Sequence, residues 1–152
     1  MTDIIHRIGI KAPLAQVYAA LSTVEGVAGW WTQETTGESR LGGGMEVRFS
    51  SHAGKEVGRM QFELAELEPT KAVRWHFTSG PPEWLGTDAT FSLSVDGDTT
   101  IVLFGHKNWR EPGEFMAHCS MKWATFLLSL RSLLETGTGQ PAPGDLKIDN
   151  WN

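Results

Sequence analysis

Three side chains in the last third of the chain are of types that can do chemistry together. Glu114 and His118 lie four positions apart, which places them on one face of a helix, and His106 ends the segment before it. Such a set can bind a divalent metal ion or supply a general acid and base. The alternative is an ordinary hydrogen-bonded polar group, with Glu114 complementing the dipole at the helix start.

Cys119 is the single cysteine of the chain. A helix start favours the thiolate and hence reactivity, although a lone cysteine is more often a small core residue. Because neighbouring residues of a helix point about 100° apart, Cys119 and His118 should not serve one site. One cysteine also excludes an intramolecular disulfide and multi-cysteine metal sites, and it favours a reducing compartment.

Signals for other reaction classes are missing from the sequence. The glycine run at 42–44 lacks the Lys and Ser or Thr of a phosphate-binding loop and predicts a hairpin turn. No nucleophile elbow, His-Glu-x-x-His motif or dinucleotide fingerprint is present. Arg74 and His76 flank Trp75 and should face solvent if the indole faces the core. We therefore expect no cofactor and no resident metal.

Length and charge predict a single soluble domain over residues 1–152. The chain has 40% hydrophobic residues and a formal net charge of −5, so no overall positive field attracts nucleic acid. Charged residues interrupt the first twenty positions, which leaves neither a signal peptide nor a transmembrane run. We expect a cytoplasmic protein that does not insert into membranes.

The periodicity of apolar residues predicts the elements that position these groups. A period of two over 4–11 indicates a strand, and spacings of three and four after Pro13 indicate a helix, followed by a second short helix capped by Ser22 or Thr23. The period of two then returns and predicts six antiparallel strands at 33–38, 44–50, 57–66, 72–78, 87–95 and 99–106. Residues 114–135 form a long amphipathic helix ended by Gly137, and 138–152 form a Gly- and Pro-rich tail.

The relative widths of sheet and helix predict a cavity. Seven strands span roughly 34 Å, whereas one helix is only about 10–12 Å wide, so the sheet must curl around the helix. Unless side chains fill it, a hollow remains between them. Strand parity predicts the inward residues Met45, Val47, Phe49, Met60, Phe62, Leu64, Val73, Trp75, Phe77, Ala89, Phe91, Leu93, Val95, Val102, Phe104 and His106, while Ile101 and Leu103 offer a competing face in the last strand.

Twelve residues are candidates for the lining of this cavity. Trp30 and Trp31 either form a lid at its mouth or cap the end of the core. The inward aromatic residues either line a pocket or fill the core. The full candidate set is Trp30, Trp31, Phe49, Met60, Phe62, Trp75, Phe91, Phe104, His106, Met116, His118 and Trp123.

Several short stretches, in this order and spacing, carry a family resemblance. They are Ala12-Pro13 to Leu21, Gly29-Trp30-Trp31-Thr32, Leu67-Glu68-Pro69 to Trp75, Gly80-Pro81, Glu83-Trp84, Gly86-Thr87, Thr100 to His106 with Trp109, and Trp123 to Gly137. The chain resembles the START-like (SRPBCC) helix-grip superfamily and, within it, the AHSA-type group named after an activator of a heat-shock-protein ATPase. The resemblance implies an α+β fold in which a seven-stranded antiparallel sheet grips a long C-terminal helix, often around a ligand cavity.

Three functions remain open at this point. The leading hypothesis is a binding domain for a small, largely apolar or amphipathic molecule. The resemblance alone suggests a co-chaperone-like module that docks on a heat-shock-protein ATPase. A cyclase or hydrolase using His106, Glu114 or His118 requires these groups to converge in the cavity. Unpaired strand edges and a tail carrying Trp151 leave room for a homodimer.

Overall fold

Seven strands and three α-helices follow one another in the predicted order. The computed structural model describes all 152 residues, and its elements are β1 (Thr2–Ile10), α1 (Leu14–Ser22), α2 (Val24–Trp30), β2 (Glu34–Gly37), β3 (Gly44–Ser50), β4 (Glu56–Glu68), β5 (Ala72–Ser79), a 3₁₀ turn (Pro82–Trp84), β6 (Asp88–Asp96), β7 (Thr99–Trp109) and α3 (Glu114–Thr136). The predicted α+β class, with two short helices after the first strand and a long C-terminal helix, is confirmed.

All strands join one antiparallel sheet in the order β1-β7-β6-β5-β4-β3-β2. The first strand pairs with the last, so that Ile4 lies opposite His106 and Arg7 opposite Leu103. Strands β1 and β2 form the two edges. The hairpin between β6 and β7 turns at Gly97, whose φ of +64° suits glycine.

The inward face of the sheet is the predicted one, with one exception. In β7, Phe104 and His106 are buried and Leu103 is 49% exposed, which rejects the competing face. Val95 was predicted to face inward but is 55% exposed. Side chains become more exposed along β6 towards the turn at Gly97. Val95 points to the inner face of the sheet there, but it lies past the end of the core.

The two short helices are held tightly against each other. The Thr23 hydroxyl accepts from the Gly26 amide at 3.0 Å and donates to the Ala19 carbonyl at 2.7 Å, which ends one helix and begins the next. Gly26 is required by packing, because a Cβ there would lie 2.5 Å from the Ala20 Cα. The two helices therefore form one rigid cap on the core.

Helix α3 crosses the inner face of the sheet. Trp123 contacts Phe104 of β7, with ring centroids 4.6 Å apart, while Phe126 approaches Phe49 of β3 at 6.0 Å. Residues three positions apart on α3 thus reach strands near opposite sides of the sheet, as curling requires. The helix ends at Gly137, with φ of +86°. No helix combines the length and apolar character needed to cross a membrane.

The tail after α3 packs on its own chain. Ala142 is buried and forms two backbone hydrogen bonds, from its amide to the Trp31 carbonyl (2.9 Å) and from the Gln33 amide to its carbonyl (3.0 Å). Asp145 is also buried, and its carboxylate accepts from the Lys122 ammonium at 2.6 Å. The segment therefore belongs to the folded body.

Candidate ligand-binding cleft

A cleft of about 480 Å³ opens between the first half of α3 and the inner face of β3 and β4. Ten of its sixteen lining residues are hydrophobic, which makes it an apolar site with a few polar groups. The lining residues are Trp31, Phe49, Val57, Gly58, Met60, Pro81, Glu83, Trp84, Phe115, His118, Cys119, Lys122, Trp123, Phe126, Trp151 and Asn152.

Three nearly parallel indoles dominate the cleft. The ring planes of Trp31 and Trp84 differ by 6°, those of Trp84 and Trp123 by 16°, and those of Trp31 and Trp123 by 21°. The centroids of Trp31 and Trp123 are 5.1 Å apart. Trp84 comes from the 3₁₀ turn after Pro81, so the β5–β6 connection carries part of the binding wall.

Five of the twelve predicted cavity residues line this cleft. They are Trp31, Phe49, Met60, His118 and Trp123. The other seven lie away from it: Trp30, Phe62, Trp75, Phe91, Phe104 and His106 are buried in the core, and Met116 packs against that core.

Aromatic rings fill much of the space between the sheet and the helices, which the sequence left open as either pocket or core. Trp75 contacts Phe62 at a centroid distance of 4.5 Å and Phe91 at 4.9 Å. Its indole N–H donates to the Leu21 carbonyl at 3.1 Å, and that of Trp30 donates to the Ala20 carbonyl at 2.8 Å. Two backbone carbonyl groups at the C-terminal end of α1 therefore hold both indole rings in the core.

Of the two roles left open for Trp30 and Trp31, burial rejects the lid. Trp30 is 0% and Trp31 2% exposed, so neither ring stands at the mouth. Their planes differ by 23°, and both stack near Trp75. Of the two, Trp30 is core and Trp31 is a cleft wall.

His106 is held in one hydrogen-bonded chain inside the core. The Trp123 N–H donates to its Nδ1 at 3.1 Å, and its Nε2 lies 2.8 Å from the Thr87 hydroxyl, which donates to the Trp84 carbonyl at 2.6 Å. This pattern assigns the proton to Nε2. Burial lowers the pKa of His106 to about 3, so the ring is neutral at pH 7.

The predicted cluster of His106, Glu114 and His118 does not form. His106 has both ring nitrogens occupied in the core, whereas His118 binds Asp149 of the tail through Nδ1 at 2.7 Å. Glu114 lies in a shallow groove between α3 and the tail. No three His, Cys, Asp or Glu side chains are arranged to hold a metal ion. The three-residue site, one of the alternatives left open by the sequence, is therefore rejected, because the strand and the helix face carry these groups into different surroundings.

Cys119 lines the cleft as a protonated thiol. Burial raises the pKa of Cys119 to about 12. The negative charge of Glu83 also raises this pKa, whereas the Trp84 side chain lowers it. The thiol is 5% exposed. The structure thus favours the small core residue over the reactive nucleophile.

Lys122 places a positive charge at the edge of the cleft, and this charge is neutralised by the Asp145 carboxylate. Its ammonium donates to the Asp145 carboxylate at 2.6 Å and to the Leu146 carbonyl at 2.8 Å. The same group lies 5.1 Å from the Phe126 ring centroid. The apolar character of the cleft is therefore preserved.

Much of the lining was not predicted. The missed residues are Val57, Gly58, Pro81, Glu83, Trp84, Phe115, Cys119, Lys122, Phe126, Trp151 and Asn152. Phe126 follows Trp123 by three positions, so the helical stripe contained a signal for it. Trp84 and Trp151 lie in a connection and in the tail, where no periodicity reveals which way a side chain points.

The family of the chain follows from its sequence and fold together. The family model described as activator of Hsp90 ATPase homolog 1-like protein matches residues 11–135. The chain belongs to this family. This confirms the AHSA-type assignment made from the short stretches. No curated protein shows significant similarity to this member of the family.

Solved structures support the same assignment. An Aha1 dimer from Colwellia psychrerythraea is 41% identical to this family member, with a TM-score of 0.78, and the similarity covers 91% of this chain and 100% of that one. DynU16 of the dynemicin biosynthetic locus is 20% identical, with a TM-score of 0.72, over 90% of this chain and 48% of DynU16. CalU16 from Micromonospora echinospora is 19% identical, with a TM-score of 0.68, over 89% and 77%. The last two similarities show the fold alone.

Proposed function

We propose that the protein binds a small, largely apolar molecule in the cleft between α3 and strands β3 and β4. One observation carries this proposal: about 480 Å³ of space lies against the parallel indoles of Trp31, Trp84 and Trp123. Ligand pockets are typically about 300–1,000 Å³, with mostly apolar walls. Desolvation of apolar guest surface contributes about 25 cal/mol per Å².

The polar groups of the cleft favour an uncharged or weakly amphipathic guest. Lys122 is paired with Asp145, and Cys119 is a neutral thiol, so neither offers a free charge. Glu83, His118 and Asn152 lie on the lining and supply hydrogen-bonding groups at its edge, and the exposed Glu83 carboxylate disfavours an anionic guest. His106 acts indirectly, because it holds Trp123 rather than touching the guest.

Binding is tested with N-phenyl-1-naphthylamine, a neutral fluorescent probe, and then with fatty acids, sterols and flavonoids as competitors. Gly58 lines the cleft on the inward side of β4, and a Cβ there meets open space, so Gly58→Phe fills the cleft without deleting a contact. We expect at least a tenfold loss of probe affinity in this variant. Glu63→Phe, which adds the same ring on the outer side of β4, is the matched control. Equal affinity in wild type and Gly58→Phe contradicts the proposal.

A second candidate function is stimulation of an Hsp90-type ATPase. It is favoured by the family assignment and by the 41% identity to the Aha1 dimer structure. The test is the ATP turnover of the Hsp90 of the same organism with and without this protein. Unchanged turnover at saturating protein removes the candidate.

A homodimer is supported by the same comparison. On the outer side of α3, Met121 is 57% and Leu128 48% exposed. We propose that a second copy covers these side chains. Light scattering should then give the mass of two chains for wild type and of one chain for Met121→Glu/Leu128→Glu. A monomeric wild type contradicts this.

A further inference from the structure

The last seven residues, 146–152, form one wall of the cleft. Trp151 and Asn152 lie on its lining. Apart from the bond between the Ile148 amide and the Asn152 carbonyl at 2.9 Å, side chains hold this segment. The other walls belong to strands, to α3, to the end of α2 at Trp31 or to the hydrogen-bonded turn that carries Trp84.

Two side-chain anchors of different strength join the segment to α3, and a third bond, from the Asn152 side-chain amide to the Asp145 carboxylate at 3.2 Å, ties its end to its base. At its base, Lys122 and Asp145 form a pair that is 8% and 5% exposed. Near its end, His118 binds Asp149 in a less buried contact, in which the two side chains are 12% and 37% exposed. Breaking a buried pair leaves an uncompensated charge, whereas a partly exposed pair opens at a lower cost because water can reach the carboxylate. The base is thus a fixed point and the outer anchor is a latch.

Asp149 organises the end of the segment. One of its carboxylate oxygens accepts from the Trp151 amide at 2.8 Å and the Asn152 amide at 3.3 Å, while the other accepts from His118. The Trp151 ring meets the His118 ring edge-on at 5.2 Å and is 49% exposed. A single carboxylate therefore sets both the turn and its attachment to α3.

The segment is not tightly packed on the helix. A groove of about 280 Å³ lies between α3 and the segment, lined by Glu114, Ala117, His118, Met121, Ile148, Asp149, Asn150 and Trp151. Five of the seven residues of the segment are exposed, and none is buried. The segment can therefore swing from its base without breaking a packed core.

We infer that residues 146–152 are a strap that gates the cleft. The strap pivots at the Lys122–Asp145 pair, is latched by Asp149 on His118, and places Trp151 over a bound guest. This inference rests on the proposed function, and it specifies the route of entry and a ligand-contacting residue. The guest enters when the latch opens, and closure of the strap slows its release.

Two readouts test the strap, one of which needs no ligand. Stopped-flow fluorescence follows N-phenyl-1-naphthylamine binding and release, and iodoacetamide labelling of Cys119 reports access to the cleft wall. The variants are a chain ending at Lys147, which keeps the Leu146 carbonyl bonded to Lys122, the full-length Asp149→Ala, and Trp151→Ala. Lys147→Ala is the matched control, because Lys147 is an exposed strap residue without a side-chain bond. Val102→Ala, a core change in β7, controls for global destabilisation.

We expect truncation and Asp149→Ala to accelerate both probe release and Cys119 labelling at least fivefold, and Trp151→Ala to accelerate release most. Lys147→Ala should match wild type. Rates within twofold of wild type in all three strap variants overturn the inference, as does an equal acceleration in Val102→Ala. If the probe binds no form of the protein, faster labelling in the strap variants still supports the gate, while the proposed ligand function fails.

Discussion

The indole N–H of Trp123 donates to Nδ1 of His106 at 3.1 Å. Both rings are buried, and the imidazole is neutral. His106 in turn donates a hydrogen bond from its Nε2–H to the Thr87 hydroxyl. The ring therefore joins α3 to β7 and to the loop before β6. One histidine thus fixes the orientation of a cleft wall from behind, without contacting the cleft.

This burial predicts a pH dependence of stability. The pKa of His106 is lowered to about 3 in the folded state, from an ordinary value near 6.5. The unfolded chain therefore binds the proton first, and the free energy of unfolding falls as the pH decreases from about 6.5 towards 3. The slope from this group is about 1.4 kcal/mol per pH unit. Urea unfolding between pH 5 and 6.5 measures it.

His106→Gln is the control for this slope, because its amide can still accept from Trp123 and donate to Thr87 without titrating. The difference between the two slopes should approach one proton. Identical slopes in wild type and His106→Gln would show that His106 does not titrate between the two states as described.

The buried pair of Lys122 and Asp145 predicts a strongly non-additive mutant cycle. Lys122→Met leaves the Asp145 carboxylate, 5% exposed, without its cation, and should cost about 3–5 kcal/mol in the free energy of unfolding. The double variant Lys122→Met/Asp145→Leu should recover most of that loss. Arg40→Met, which breaks an exposed pair, should leave stability unchanged. Additive effects in the cycle argue against a coupled buried pair.

Gly26 predicts a packing defect at the junction of α1 and α2. In Gly26→Ala the new Cβ would lie 2.5 Å from the Ala20 Cα and 2.6 Å from the Ala19 carbonyl oxygen, and backbone atoms cannot yield cheaply. Thermal and urea unfolding should show a loss of about 1–3 kcal/mol. Gly113→Ala is the matched change, since a Cβ there meets open space. Equal stability of both variants would remove the argument for close approach.

The raised pKa of Cys119, about 12, predicts a thiol that resists alkylation. At pH 8 the thiolate fraction is about a thousandfold lower than for an ordinary thiol near pKa 8.5. Iodoacetamide should therefore label the folded protein about a thousandfold more slowly than the protein in 6 M guanidinium chloride. Comparable rates in the two solutions would mean that the thiol is exposed and ionisable.

The fold was predictable because its signals are local and repeat along the chain. The period of two in residues such as Phe62 and Leu64, and the stripe containing Trp123 and Leu130, determine which faces are buried. Val95 departs from this pattern because strand parity predicts which face of the sheet a side chain points to, but not how far the helices cover that face.

The site was only partly predictable because the orientation of its aromatic side chains depends on contacts with residues distant in sequence. Trp75 fills the core since Leu21, 54 positions away, accepts its N–H. Trp151 reaches the cleft through Asp149 and His118, 31 positions apart. Neither relationship leaves a periodic trace in the sequence, so parity alone cannot separate a pocket wall from a filled core.

The central claim is that a guest occupies the cleft and not the core, and the indole N–H resonances test it directly. On titration with N-phenyl-1-naphthylamine, the ¹⁵N–¹H indole signals of Trp31, Trp84, Trp123 and Trp151 should shift, because these side chains line the cleft. The signals of Trp30 and Trp75, bonded to α1 carbonyls, should stay in place. Shifts confined to Trp30 and Trp75, or no shift at saturating probe, would contradict the account.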